Sequence, residues 1–214
     1  MNIYWLGQAS YIIETDSKKK LVIDPFNDKI GYTPFKGSAD LVTISHDHYD
    51  HNFLEFIENN PPVVRTATNY NADFCTVEGI KAFHDDKNGA ERGENIIFKY
   101  NIDGITLCHL GDLGHELDKE TLNKIGKVDI LFIPVGEVYT FNVESAANVV
   151  KAINPKYIVP MHFKTEYLNI PLEKVDKFLS VMKNYSNERV PYISMNKDTL
   201  KDENKILVMD VYSK

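Results

Sequence analysis

Apolar and polar positions alternate with a period of two along the first part of the chain, as expected for short strands in half-buried sheets. Gly7-Gln8, Asp16-Ser17 and Asp103-Gly104 interrupt the alternation at positions suited to tight turns. The predicted strands cover residues 2–6, 10–14, 20–24, 41–44, 63–65, 78–84, 96–102 and 105–109. A short helix is predicted over 52–57, where Asn52 could cap the first turn.

After Gly111 the pattern changes to strands that alternate with helices. Helices are predicted over residues 119–125, 143–153 and 172–185, and strands over 130–134, 157–160 and 205–211. Strands in two groups, with helices available to cover both, favour two packed sheets between helical layers. No linker, low-complexity tract or internal repeat divides the sequence, so we expect a single domain over residues 1–214.

Composition narrows the possible functions. With 24 Lys and Arg against 31 Asp and Glu, the chain has a net charge of −7, which disfavours broad contact with nucleic-acid phosphates. Hydrophobic residues make up 43% of the sequence, enough for a sizeable core, but no apolar run approaches the length of a transmembrane span. Cys75 and Cys108 form no CxxC pair, and the first residues lack a signal-peptide pattern, so we expect a cytoplasmic protein.

The strongest chemical signal is SHDHYDH at residues 45–51, directly after a predicted strand. In an extended segment His46 and His48 point the same way, and the following turn lets Asp50 and His51 face a second point nearby. Imidazole and carboxylate suit zinc, manganese or iron, so the layout predicts a pair of metals. Such a window arises by chance in roughly one sequence in a thousand, and a solvated polar loop is the alternative interpretation.

Other segments must supply the remaining ligands of such a site. His84, Asp112 and His162 each follow an apolar strand, so each could reach a shared rim of the sheets. A single histidine at a strand end is more often structural than metal-binding. Three such endings beside the SHDHYDH segment nevertheless favour the metal hypothesis.

The order HxHxDH, a single His, Gly-Asp and Pro-Met-His resembles the metallo-β-lactamase superfamily. Within it, the chain is similar to small metal-dependent hydrolases that include the ascorbate-6-phosphate lactonases and relatives of N-acyl phosphatidylethanolamine phospholipase D. The likeness spans nearly the whole chain, and beyond SHDHYDH it covers residues 7–10, 22–26, 39–42, 109–112, 133–136 and 160–163. This resemblance implies an α+β fold, a four-layer αββα sandwich with the site along one edge of the sheets.

The resemblance also implies a set of seven metal ligands, and every position is filled. The first metal would be bound by His46, His48 and His84, the second by Asp50, His51 and His162, and both would be bridged by Asp112. The short spacing between His48 and His84 leaves His109 as an alternative ligand of the first metal. Glu137 stands where many relatives carry a second glycine, which could narrow the pocket.

Hydrolysis by a hydroxide that bridges two divalent metals is the mechanism that the resemblance implies. Zinc is the first candidate, with manganese or iron as alternatives. Asp50 could orient this nucleophile and accept its proton. The leaving group needs a further proton donor, for which His115, His109 and Tyr139 stay open. His115 also fits a surface histidine without a catalytic role.

We expect a small anionic substrate, namely an ester, lactone or phosphodiester. Lys87, Arg92 and Lys164 lie close in sequence to predicted ligands, where they could neutralise a phosphate or carboxylate. A solvated turn is the alternative for residues 85–93.

Other functions on a similar scaffold also stay open. These are a metal-stabilised binding module without turnover and a redox enzyme, although the redox family carries Glu at the position of His48 and needs a flavin domain. A nuclease of the RNA-processing branch is disfavoured by the acidic charge and by the lack of an inserted domain.

Overall fold

The amino-terminal strands and one late strand form a six-stranded sheet. In a computed structural model that describes residues 1–201 and 203–212, the strands of this sheet, numbered in chain order, are β1 (Asn2–Gly7), β2 (Ser10–Glu14), β3 (Lys20–Ile23), β4 (Leu41–Thr43), β5 (Val63–Val64) and β13 (Ile193–Ser194). Their order is β13-β1-β2-β3-β4-β5, antiparallel as far as β3 and parallel from β3 to β5. The period of two places Ile13 on the inner face and Ile12 on the outer face.

An eight-stranded sheet packs against the inner face. Its strands are β6 (Asn69–Ala72), β7 (Cys75–Phe83), β8 (Glu94–Ile102), β9 (Ile105–His109), β10 (Ile130–Pro134), β11 (Tyr157–Met161), β12 (Asn187–Val190) and β14 (Lys205–Met209). Their order is β12-β14-β11-β10-β9-β8-β7-β6. Strands β6 to β9 are antiparallel, whereas β9, β10, β11, β14 and β12 run parallel. The carboxyl ends of β9, β10 and β11 therefore meet at one edge of the sheet.

The two sheets share one apolar core. Ile13 and Leu21 of the six-stranded sheet belong to the same buried cluster as Phe98 and Phe132 of the eight-stranded sheet. The rings of Tyr11 and Phe132 meet between the sheets with their centroids 4.5 Å apart. Burying an apolar side chain such as that of Phe132 contributes about 1.5–3 kcal/mol relative to leaving it exposed. This packing fixes the relative positions of the strand ends in the two sheets, where the candidate ligands lie.

Three α-helices cover the outer face of the eight-stranded sheet: α1 (Lys119–Ile125), α2 (Val143–Ile153) and α3 (Val175–Val181). Asp118 caps α1 by accepting a hydrogen bond from the amide of Thr121, and Asn142 caps α2 through the amide of Ser145. Helix α2 packs on β10 and contacts both other helices. Its buried face consists of Val143, Ala146, Ala147, Val149, Val150 and Ile153.

The predicted α+β sandwich is confirmed. Among the described residues, the layer over the outer face of the six-stranded sheet consists of loops and a 3-10 helix at Asp28–Ile30. Leu6 and Ile12 pack there against Phe26, Ile30 and Leu168. Among the described residues, every helix is too short or too polar to span a lipid bilayer.

The helix predicted over residues 52–57 is wrong. That segment contains turns, and its backbone binds other loops: the amide of Phe53 donates to the carbonyl of Pro25, and the carbonyl of Phe56 accepts from the amide of Gly37. The Asn52 side chain donates to Asp47 instead of capping a helix. Backbone groups of this short apolar run find their hydrogen-bond partners in other loops. Local periodicity cannot reveal such partners.

The last predicted helix is shorter than expected. Helix α3 begins at Val175, because the preceding Glu173 donates its amide to Gly136 and accepts from the amide of Lys164. These bonds tie residues around 173 to the loop after β10 and prevent an earlier start. The sequence pattern also does not predict β6, β12 or β13, which are short and lie at or next to sheet edges.

Candidate metal centre

The SHDHYDH segment begins where β4 ends. Its start is held on both sides, since the preceding Ile44 donates its amide to the carbonyl of Val64 and the carbonyl of Ser45 accepts from the amide of Ile96. The chain then turns, and the amide of His51 donates to the carbonyl of His48, 3.0 Å away. His46, Asp50 and His51 are buried, His48 is half-buried, and Asp47 and Tyr49 are exposed. The turn thus directs its chemical groups inward.

Three further side chains reach the same place from the eight-stranded sheet. His84 follows β7, Asp112 follows β9, and His162 follows β11. All seven residues of the predicted ligand set are thereby brought together. Their candidate ligand atoms form three groups whose members lie within 4.8 Å of one another: His46, His48 and His84; His46, His51 and Asp112; and Asp50, His51 and His162.

Asp112 is at the centre of this cluster. Its Oδ2 atom lies 3.0 Å from Nε2 of His162, 3.2 Å from Nε2 of His84 and 3.4 Å from Nε2 of His51. Nε2 of His46 is 3.9 Å away. One carboxylate oxygen therefore lies between imidazoles of both predicted ligand groups, as a bridging ligand would.

Several buried atoms of the cluster have no hydrogen-bond partner among the described residues. They include Nε2 of His46, Nε2 of His51 and Oδ1 of Asp112. Buried polar atoms without partners cost free energy, and coordination to a cation removes that cost. Imidazole nitrogens and carboxylate oxygens without a thiolate suit zinc, manganese or iron. The residues present therefore fit a centre for divalent metals.

The electrostatics of the cluster agree with this chemistry. Burial and the neighbouring His51 hold the pKa of His46 well below its usual range, which favours the neutral imidazole that a metal requires. Burial opposes the charged form of Asp112, yet the adjacent His162 and His51 hold the pKa of that carboxyl well below its ordinary value. Burial also lowers the pKa of His51, but Asp112 and Asp50 outweigh it and raise this pKa well above the usual value. The carboxylates thus create a strong preference for a positive charge at this point.

Asp24 organises two of the histidines, a role that the sequence interpretation does not assign. This fully buried residue accepts hydrogen bonds from the amide and the Oγ of Ser45, at 2.7 and 2.6 Å. Because the Ser45 hydroxyl donates to Asp24, it can only accept from Nδ1 of His46, 2.9 Å away. Nδ1 of His51 lies 3.0 Å from the Asp24 carboxylate. Both imidazoles consequently present Nε2 to the cluster.

Two glycines allow the chain to pass close to the site. A Cβ on Gly111 would lie 2.2 Å from Oδ1 of Asn95, the atom that accepts from the amide of Asp112. A Cβ on Gly136 would lie 2.0 Å from the carbonyl oxygen of His162. Side chains at these positions would displace residues that carry candidate ligands.

His109 is placed as a structural residue. Its ring is fully buried, its Nε2 lies 2.8 Å from the carbonyl oxygen of Ala9, and its Nδ1 accepts from the amide of Gly111. These partners fix Nε2 as the protonated nitrogen and leave no lone pair for a metal. His109 is also absent from the three groups of candidate ligands. The geometry therefore favours His84 over His109 at the first metal position.

A cavity of about 270 Å³ opens above the cluster. It is lined by His48, Tyr49, Asp50, His84, Arg92, Asp112, Tyr139, His162 and Ile170. Tyr139, one of the predicted proton donors, borders the cavity. His115 lines a neighbouring groove, and its ring nitrogens contact the backbone of Phe83 and Glu116. That placement does not support proton donation by His115 to a substrate above the cluster.

The three predicted cations have different surroundings. Lys87 is exposed and pairs with Glu91, while Lys164 donates to the carbonyl groups of Leu168 and Ile170. No carboxylate in residues 1–201 or 203–212 lies within 4.0 Å of the Arg92 nitrogens. Arg92 is therefore the cation that borders the cavity with its charge unpaired.

The loop that carries Arg92 is built around Asp85. This carboxylate accepts hydrogen bonds from four backbone amides, those of Lys87, Gly89, Glu91 and Arg92, at 2.8 to 3.0 Å. Burial opposes its ionisation, but the four donors lower the pKa of Asp85 to about 2. The guanidinium of Arg92 lies over the Tyr139 ring, 4.9 Å from the centroid. The loop is thus held in place around Asp85 and reaches the cavity wall through Arg92, while residues 86–88, 90 and 91 are exposed to solvent.

Glu137 does not narrow the cavity above the cluster. Its carboxylate turns away, accepting from the amide of Val143 at 3.1 Å and pairing with Lys177 at 2.6 Å. Glu137 and Val138 both adopt positive φ angles, which is unusual for residues other than glycine. The turn instead exposes Val138 beside Tyr139.

Comparisons with known proteins agree with this geometry. A family profile described as the β-lactamase superfamily domain matches residues 2–162. A crystal structure from Thermotoga maritima, assigned to the metallo-β-lactamase superfamily as a Zn-dependent hydrolase, shares 34% identity and a TM-score of 0.80, covering 97% of both chains. The chain belongs to the metallo-β-lactamase superfamily. The predicted resemblance is confirmed.

Curated relatives of this superfamily member carry the name UPF0173 metal-dependent hydrolase. One from Carboxydothermus hydrogenoformans is 30% identical over 198 residues, covering 77% of this chain and 85% of the relative. Another from Archaeoglobus fulgidus is 27% identical over 197 residues, covering 77% and 84%. The similarity thus extends beyond the histidine motif to most of the chain.

Proposed function

We propose that this protein is a metal-dependent hydrolase with two divalent metals, zinc being the first candidate and manganese or iron the alternatives. The observation that carries the proposal is the position of Asp112 Oδ2, within 3.0–3.9 Å of Nε2 of four histidines. Such a carboxylate matches the bridging ligand of a binuclear site. The names of the relatives, metal-dependent and Zn-dependent hydrolases, support the same reaction class.

When bound, the metals would lower the pKa of water and stabilise negative charge that develops during hydrolysis. The protein's own groups would do the rest. Asp50 lines the cavity, and its carboxylate would orient the attacking water and take up its proton. The Tyr139 hydroxyl group would supply the proton to the leaving group, since Tyr139 borders the same cavity and His115 does not. Tyr49 and Ile170 would limit access of bulk water.

The substrate that fits this site is a small anionic ester, lactone or phosphodiester. A cavity of about 270 Å³ suits a small molecule, and Arg92 provides one unpaired positive charge at its wall. A net charge of −7 opposes binding of a polyanion such as nucleic acid. The Arg92 charge is therefore expected to select among small substrates.

A matched pair of variants tests this proposal. The zinc-loaded protein is assayed on lactones, phosphodiesters, thioesters and β-lactams, including one lactone with and without a phosphate group. Arg92→Ala should raise KM for the phosphorylated lactone by roughly 10- to 100-fold, because a charged hydrogen bond is lost. Lys87→Ala, in the same loop but paired with Glu91, should have little effect. Absence of turnover across the panel would favour a metal-stabilised binding module, and equal effects of both variants would contradict the role of Arg92.

A further inference from the structure

We propose that Gln8 is a positioning residue for the second group of candidate ligands, Asp50, His51 and His162. The inference rests on the proposed metal centre and extends it to a residue outside the ligand set. Gln8 lies in the turn between β1 and β2, on the opposite sheet from His162. It is fully buried and has a φ of 52°. A buried glutamine in a left-handed turn costs backbone and desolvation free energy, so its contacts should account for it.

The side chain of Gln8 restrains Asp50. Its Nε2 donates a hydrogen bond to Oδ2 of Asp50 at 2.9 Å, and both residues are buried. A carboxamide is suited to this position because it supplies a donor without adding a charge. The other amide atom, Oε1, has no hydrogen-bond partner among the described residues. A glutamine that served only to fill space could be replaced by an apolar residue without that cost, so the bond to Asp50 explains its presence.

The backbone of Gln8 restrains His162. Its carbonyl oxygen accepts from the amide of His162 and from Nε1 of Trp5, both at 3.0 Å. The φ of His162 is 52°, so this histidine also occupies a left-handed conformation that needs external support. One residue of the six-stranded sheet thus holds two members of the second ligand group. No hydrogen bond in the described part of the chain joins Gln8 to His46, His48 or His84.

The turn itself fixes where Gln8 lies. Gly7 has a φ of 104°, and the ring of Tyr32 packs so closely that a Cβ on Gly7 would lie 2.5 Å from Cγ of Tyr32. The hydroxyl group of Tyr32 in turn lies 2.6 Å from Oγ1 of Thr165, in the loop after His162. The same hydroxyl group is also hydrogen-bonded to the backbone of Gln8. Tyr32→Phe keeps the ring on Gly7 and the side chain of Gln8, so it serves as a control for the bond between Gln8 and Asp50.

The test is an isothermal calorimetric titration of the whole protein with zinc. Steady-state kinetics on a substrate from the panel are measured in parallel. Both Gln8→Met and Gln8→Leu remove the hydrogen-bond donor. Met keeps an unbranched side chain, and Leu keeps an apolar side chain of similar size. We expect the second zinc to bind about 10- to 100-fold more weakly and the first to bind as in the wild type. The kinetic loss should appear in kcat more than in KM, because Gln8 does not line the cavity. Tyr32→Phe should keep both zinc affinities.

The outcomes separate this inference from the proposed function. Wild-type affinity for both metals in folded Gln8→Met and Gln8→Leu would overturn the role of Gln8 while leaving the metal centre intact. An equal loss in Tyr32→Phe would show that the hydrogen bonds of the turn backbone matter and that the bond to Asp50 does not. A wild-type protein that binds no zinc would contradict the metal centre, and with it the role of Gln8. Circular dichroism of each variant verifies that it is folded.

Discussion

Nδ1 of His51 lies 3.0 Å from the Asp24 carboxylate, and both side chains are fully buried. The carboxylate accepts from Nδ1 and thereby leaves the Nε2 lone pair of His51 directed at Asp112. Through Ser45 the same carboxylate also sets the orientation of His46. Asp24 thus controls one histidine from each predicted ligand group without belonging to either.

Asp24→Asn should weaken both metals. An asparagine amide would donate to Nδ1 of His51, so Nε2 would carry the proton and could not coordinate. We expect metal affinity to fall about 10- to 100-fold, measured by competition with a chelator. Asp28→Asn, an exposed acid nearby, should leave affinity unchanged. Unaltered metal binding in a folded Asp24→Asn protein would contradict the assigned role of Asp24.

Asp112→Asn should remove most of the activity and weaken the second metal. The amide cannot bridge two cations, and we expect kcat/KM to fall at least about 100-fold. Asp118→Asn is the control, because Asp118 caps α1 at the surface and asparagine caps helices equally well. The measurement is kcat/KM with metal analysis of each variant. Similar losses at both positions would show that Asp112 has no special place in the centre.

The sequence predicts the candidate ligands better than it predicts the residues that hold those ligands in place. His46, His48 and His51 are close in the chain, so their spacing alone indicates a site, and strand ends indicate His84, Asp112 and His162. The side chain of Gln8 contacts Asp50 from 42 residues away, and that of Asp24 contacts His51 from 27 residues away. Isolated polar residues in turns have no periodicity that would mark such contacts. The pairing of β1 to β4 in the six-stranded sheet brings them to the cluster.

Asp85→Ala should disturb the position of Arg92. Four amides of the loop would lose their shared acceptor, so the loop should become more mobile and Arg92 should no longer remain over Tyr139. We expect KM for the phosphorylated lactone to rise as it does in Arg92→Ala. Hydrogen exchange of residues 87–92 measures the loop directly. Unchanged exchange and unchanged KM would contradict this account of the wall.

His109→Gln should keep both metals and lose stability. Glutamine can keep only part of the hydrogen bonding to Ala9 and Gly111, and an unsatisfied buried group costs about 1–3 kcal/mol. Chemical denaturation measures the loss, and metal analysis should give the wild-type stoichiometry. Loss of one metal in this variant would support His109 as a ligand in place of His84.

The same variant has an expected pH dependence. Burial lowers the pKa of His109 below its value in the unfolded chain, about 6.5. The unfolded state therefore binds a proton that the folded state does not, and this residue's share of stability falls as the pH decreases below about 6.5. The free energy of unfolding should decline less steeply between pH 7.5 and 5.5 in His109→Gln. An identical slope in both proteins would contradict a neutral buried His109.

The fold was predictable where periodicity is strong and backbone bonds are local. Helix α2 has the predicted bounds and a continuous buried face, and β10 is an apolar run buried throughout. The backbone bonds of residues 52–57 are not local in this way, because the amide of Phe53 donates to Pro25 and the carbonyl of Phe56 accepts from the amide of Gly37. The outer layer over the six-stranded sheet follows the same rule, since it is held by side-chain packing around Phe26 and Ile30. Such tertiary contacts override local propensity.

Metal stoichiometry tests the central claim most directly. The purified protein is stripped of metal and loaded with zinc, and unbound zinc is then removed. The bound zinc is measured by inductively coupled plasma mass spectrometry. Asp112 and the six other candidate ligand residues predict close to two zinc ions per chain, with hydrolytic activity that rises with loading. Saturation well below one equivalent would contradict the account.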